Sequence, residues 1–141
     1  MKKLFFIAIL FYCSFSASAQ IHWLVNSDSI PNCELIKSGK FVNKETDCKV
    51  TPDYYIVYSN GFVTDFVNDG KYYVKSKLTF KSECKWESEI VEVTIPESSI
   101  KVGSIIITEV IETATIDNLV KIDARNKGDK EGTILVLQKI E

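Results

Sequence analysis

The chain has 141 residues, with 17 basic and 19 acidic side chains, a formal net charge of −2 and 45% hydrophobic residues. That mildly acidic balance argues against a nucleic-acid binder, which needs clustered positive charge to displace the counterions of phosphate. The length suits one domain able to enclose its own core.

In chain order, Met1-Lys2-Lys3 is followed by an apolar run from Leu4 to Tyr12 and by the small, polar stretch Ser14-Phe15-Ser16-Ala17-Ser18-Ala19. This is the order of a charged n-region, an h-region and an A-x-A-like cleavage site. Residues 1–19 are therefore expected to be a signal peptide cleaved before Gln20. Residues 20–141 are expected to be a single exported β domain, periplasmic or secreted, with a poorly ordered segment at about 20–32. The apolar run is shorter than the roughly 20 residues of a membrane span, so no transmembrane segment is expected after cleavage. Phe11-Tyr12 are too bulky for lipid attachment at Cys13.

The exported part keeps Cys33, Cys48 and Cys84, in a setting where thiols oxidise. One disulfide and one free thiol is the simplest outcome, and the sequence leaves all three pairings open. Cys33 to Cys84 closes the longer loop and is favoured, at about 4 kcal/mol in the chain-entropy picture. No C-x-x-C spacing occurs, which argues against a zinc knuckle or a thioredoxin-like site.

From Lys40 onward Val, Ile, Thr, Tyr and Phe abound, punctuated by Gly, Asn and Asp. Eight strands are expected near residues 38–44, 53–59, 62–67, 71–80, 85–95, 104–113, 115–125 and 132–140. Asn60-Gly61 suits a type I′ hairpin between the second and third, because both residues tolerate positive φ. Asp69-Gly70 gives a similar turn; a two-residue loop there sets Asp65 opposite Val74. The fourth strand alternates, with Tyr72, Val74, Ser76, Leu78 and Phe80 on one side and Tyr73, Lys75, Lys77 and Thr79 on the other. In the fifth, Trp86, Ser88 and Ile90 share a face. Matching Trp86 to Phe80 needs an odd-numbered connection and brings Lys77 beside Glu89. The pattern then shifts to Val91, Val93 and Ile95, which predicts a β-bulge. Short connections favour an all-β, antiparallel up-and-down meander closing into a small eight-stranded barrel; the alternative is a β-sandwich.

Gly39-Lys40-Phe41 resembles the lipocalin-type G-x-W motif with Phe for Trp. Together with Cys33 and the stretch Phe80-Lys81-Ser82-Glu83-Cys84-Lys85-Trp86, it resembles small secreted bacterial lipocalin-like proteins of unknown function, over about residues 33–90. The resemblance implies a barrel that could hold an apolar ligand. Lipocalins usually place an arginine over the motif's aromatic ring, whereas the single arginine here, Arg125, falls at the end of the seventh strand.

The chemistry points away from an enzyme. His22 is the single histidine, and no G-x-S-x-G elbow, metal-ligand cluster or phosphate-cradling glycine loop occurs. No cofactor is implied. Glu87, Glu89, Glu92, Glu109 and Glu112 read as a solvated outer face. Two functions remain. The first is a carrier for one small apolar molecule, lined by Tyr72, Val74, Leu78, Phe80, Trp86 and Ile90, with Asp65 fixing a polar end. The same residues could instead simply fill the interior. The second is a protein-binding or inhibitor-like module of the bacterial envelope, using Tyr54, Tyr55 and Tyr58 with the basic stripe Lys75, Lys77 and Lys81.

Overall fold

The computed structural model describes residues 24–44 and 53–141; the expected signal peptide, His22 and Cys48 lie outside them. Eight antiparallel strands follow in chain order: β1 (Gly39–Asn43), β2 (Tyr55–Ser59), β3 (Phe62–Val67), β4 (Tyr72–Ser82), β5 (Lys85–Val93), β6 (Ile105–Ala114), β7 (Leu119–Asn126) and β8 (Thr133–Lys139). Each pairs with its neighbour and β8 returns to β1, with Phe41 opposite Lys139, so the sheet is a closed barrel. Closure removes both sheet edges, and it decides the barrel over the sandwich.

Turn chemistry sets the registers. Asn60 and Gly61 both have positive φ, 53° and 76°, and the two-residue loop pairs Ser59 with Phe62. Asn68, Asp69 and Gly70 all have positive φ, and this turn puts Asp65 opposite Val74 as expected. Between β4 and β5, Phe80 faces Trp86 and Lys77 faces Glu89. The odd count there comes from a register shift between Phe80 and Ser82. A second shift, with Ser76 opposite Ile90 and Lys75 opposite Glu92, leaves Val91 as the extra residue. That is the predicted bulge: Ile90 is buried, Val91 is exposed, and Val93 regains the inner phase opposite Val74. A similar shift in β6 falls between Val110 and Glu112.

β7 starts later than expected because Thr115–Asp117 forms a 3-10 turn, closed by Asn118 in a left-handed conformation (φ 55°). Asp28 holds this turn, accepting from the Thr115 N–H at 3.1 Å and its hydroxyl at 2.7 Å. The same N-terminal segment makes further hydrogen bonds to the end of β6. The Asp28 N–H donates to the Thr113 carbonyl and the Asn32 N–H to the Thr113 hydroxyl.

One end of the barrel is plugged. The 3-10 turn Cys33–Ile36 lies across it and is bonded by a Cys33–Cys84 disulfide to the β4–β5 turn. Cys33, Ile36, Phe41, Tyr58, Trp86, Val120 and Leu137 belong to one buried cluster. Lys139 lies over Phe41: its ammonium is 5.8 Å from the ring centroid and donates to the Leu35 carbonyl at 3.3 Å. Arg125 has no part in that contact. Gly39 makes room for it, since a Cβ there would stand 2.4 Å from the Glu141 carbonyl oxygen and 2.6 Å from Lys139 Cε. The opposite end carries the connections after β3, β5 and β7. None of the described helices is long and apolar enough to cross a membrane.

Candidate functional site

Closure gives every strand an inner face that can be read from the registers, because side chains alternate and paired residues share a face. Phe41 faces Ile56, Ile56 faces Asp65, Asp65 faces Val74, and Val74 faces Val93. The next inner row runs Tyr58, Val63, Ser76 and Ile90. Beyond it, Leu78 faces Ser88 and Ser88 faces Ile106, while Trp86 faces Thr108 and Thr108 faces Ala124.

The residues expected to line the interior divide. Val74, Trp86 and Ile90 are buried on the inner face, and Leu78 packs against the core. Tyr72 is half-buried near the open end, where Lys71 sits over its ring at 5.2 Å. Phe80 does not belong with them. It is 43% exposed, packs its ring 5.7 Å from Trp86 at the plugged end, and lies under the Lys37 ammonium. The bulge beside it lets β4 run past the barrel's rim, which period-2 alternation alone does not reveal.

Asp65 is inside, and sequence reasoning missed its partners. The Tyr54 hydroxyl donates to Asp65 Oδ1 at 2.6 Å. Burial pushes the Asp65 carboxyl up, and the Tyr54 hydrogen bond only partly offsets this. Burial and the nearby carboxylate also push the Tyr54 and Tyr58 phenols up. The Tyr58 ring meets Phe41 and Trp86 edge-on, at 5.6 and 6.1 Å. Tyr54 and Tyr58 are thus interior residues, and only Tyr55 of the expected outer cluster faces out. Tyr55 stacks on Phe66 at 4.8 Å under the Lys40 ammonium. The Asn60-Gly61 register already held this signal, since it puts Ile56 opposite Asp65 and therefore Tyr54, Ile56 and Tyr58 on one face.

A polar row crosses the interior. Asp65 is diagonal to Ser76, Ser76 to Ser88, and Ser88 to Thr108, one step per strand from β3 to β6. Ser76, Ser88 and Thr108 are buried polar residues on this inner face. The Trp86 indole N–H, beside Thr108, is buried without a partner. Thr108 adjoins a cleft of about 380 Å3 at the open end, walled by Ile106, Ala124 and Leu135, with Arg125, Asp129 and Glu131 at its edge.

The outer face is a lattice of opposite charges. Lys75 and Lys77 stand opposite Glu92 and Glu89, and Lys81 pairs with Glu87 at 3.7 Å. The Glu87 carboxyl is held low, first by Lys127 and then by Lys81. Glu109 pairs with Lys85. Glu112 departs from the expected solvated face: it and Lys121 are both buried, 3.5 Å apart, and Glu112 accepts from the Leu24 N–H at 2.7 Å. Among the described residues no group of three His, Cys, Asp or Glu is placed to hold a metal.

Comparison with protein-family models, curated proteins and solved structures returns no match to this chain.

Proposed function

We propose that the protein is an exported, lipocalin-like barrel that takes one small, partly apolar molecule through its open end. The observation that carries this is the asymmetry of the barrel. One end is plugged by a disulfide-bonded 3-10 turn, and the other holds a cleft of about 380 Å3 that combines Ile106, Ala124 and Leu135 with Arg125, Asn126, Asp129 and Glu131. Concave sites with apolar walls and a few polar groups are where small ligands bind. The disulfide supports export, since such bonds persist in oxidising compartments. The protein-binding alternative is less favoured, because its tyrosines divide between the two faces and its lysines stand against carboxylates.

The test is titration with N-phenyl-1-naphthylamine, a neutral apolar probe that fluoresces on leaving water. The protein should bind one equivalent, and Leu135→Trp, which fills the cleft, should weaken binding by about tenfold or more. Absence of saturable binding, or full binding by the variant with its fold intact, would overturn the proposal.

A further inference from the structure

The polar row is hard to explain as packing. Interiors are built from groups that are apolar or hydrogen-bonded, because an unpaired buried polar group loses its water without recompense. Here Ser76, Ser88 and Thr108 turn hydroxyls inward from buried positions, Trp86 adds a buried N–H without a partner, and a carboxyl stands at one end of the row. Water could satisfy the hydroxyls, but it cannot neutralise a carboxylate. Asp65 takes one neutral hydrogen bond, from Tyr54, and forms no ion pair with the lysines or arginine of the described residues. Lys139, which also points inward, is committed to Phe41 and the Leu35 carbonyl at the plugged end. Asp65 is still partly accessible, and it lies two residues from the end of β3 at the open mouth. The row therefore combines one anion, the neighbouring rings of Tyr58 and Trp86, and hydroxyls able to donate or accept.

We propose that this row is a recognition site for a small organic amine, whose ammonium pairs with Asp65 and whose remaining polar atoms meet Ser76, Ser88 and Thr108. This rests on the reading that a small molecule enters the open end, and it names the chemistry of that molecule. Tyr58 and Trp86 add aromatic surface that suits an organic cation. The cleft beside Thr108, with Ile106, Ala124 and Leu135 in its wall, receives the rest of the ligand.

The test is calorimetric titration of the disulfide-bonded protein with 2-phenylethylamine and tryptamine, and with their neutral counterparts 2-phenylethanol and indole-3-ethanol. At least one amine should bind about tenfold or more tightly than its alcohol, as expected for a charge-assisted pair. Asp65→Asn should abolish that preference while the fold is retained or stabilised, an outcome that a purely structural Asp65 would not produce. Equal affinity for amine and alcohol, or an unchanged preference in the variant, would overturn the inference. If neither amine binds but N-phenyl-1-naphthylamine does, the inference falls and the apolar-ligand reading stands. If nothing binds, both fall.

Discussion

Asp65 costs the folded protein stability at neutral pH, because its carboxylate gives up water for a single phenol hydrogen bond. Its carboxyl is raised above the ordinary value of 3.8, so between that value and the raised one the folded chain binds more protons than the unfolded chain. Stability from this group is therefore greatest below the ordinary value and falls as pH rises through the window. Asp65→Asn keeps an acceptor for Tyr54 and removes the charge. It should raise stability at pH 7 by about 1 kcal/mol and flatten the pH dependence across the same window, as urea titrations at several pH values would show. An unchanged pH profile would mean that Asp65 is well solvated. Gly39 works in the opposite sense. Its φ of +119° and the absent Cβ let β8 close over β1, so Gly39→Ala should cost about 1–3 kcal/mol from the backbone alone, measured as a lower denaturation midpoint.

At the scale of elements, hairpins carry most of the order. Asn60-Gly61 and the turn at Asn68–Gly70 set the registers of β2, β3 and β4, and thereby bring Asp65 inside. The bulge at Val91 keeps β5 buried on one face while the strand curls. The plug depends on longer connections. The Cys33–Cys84 bond spans a separation of 51 residues, so the double variant Cys33→Ser, Cys84→Ser should lose about 2–5 kcal/mol. Non-reducing mass spectrometry of the native protein should show two hydrogens fewer than the reduced chain. A native protein with both thiols free would contradict the fold's plugged end. Asp28 adds a polar clasp, its carboxyl held low by the hydroxyls of Thr113 and Thr115. That contribution is present above the ordinary carboxyl value and is lost as pH falls through the lowered one. Asp28→Asn should therefore loosen the segment 24–32 at neutral pH, seen as faster amide exchange at Thr113 and Thr115.

For the whole molecule, closure converts eight alternating strands into an inside and an outside. Much of this was legible in the chain. Turn residues and β-branched runs marked the strands, the cysteine spacing favoured the pair that forms, and the Asp69-Gly70 turn predicted the facing of Asp65 and Val74. These are local properties: backbone preference at a turn and a period of two along a strand act over a few residues. Other features needed residues distant in sequence to meet. Lys139 lies over Phe41 because β8 closes on β1. Glu112 and Lys121 look like exposed strand residues, yet both are buried. Phe80 fits the inner phase but sits outside at the rim. Alternation divides a strand into two faces without saying which face another part of the chain will cover, or where a strand outruns the barrel. The sequence by itself determined the strands, their turns and the all-β class. Only the tertiary structure decided which end is plugged, which cation caps Phe41, and that Asp65, Ser76, Ser88 and Thr108 form one inward-facing row, because those outcomes depend on contacts made when β1 and β8 meet and water leaves the interior.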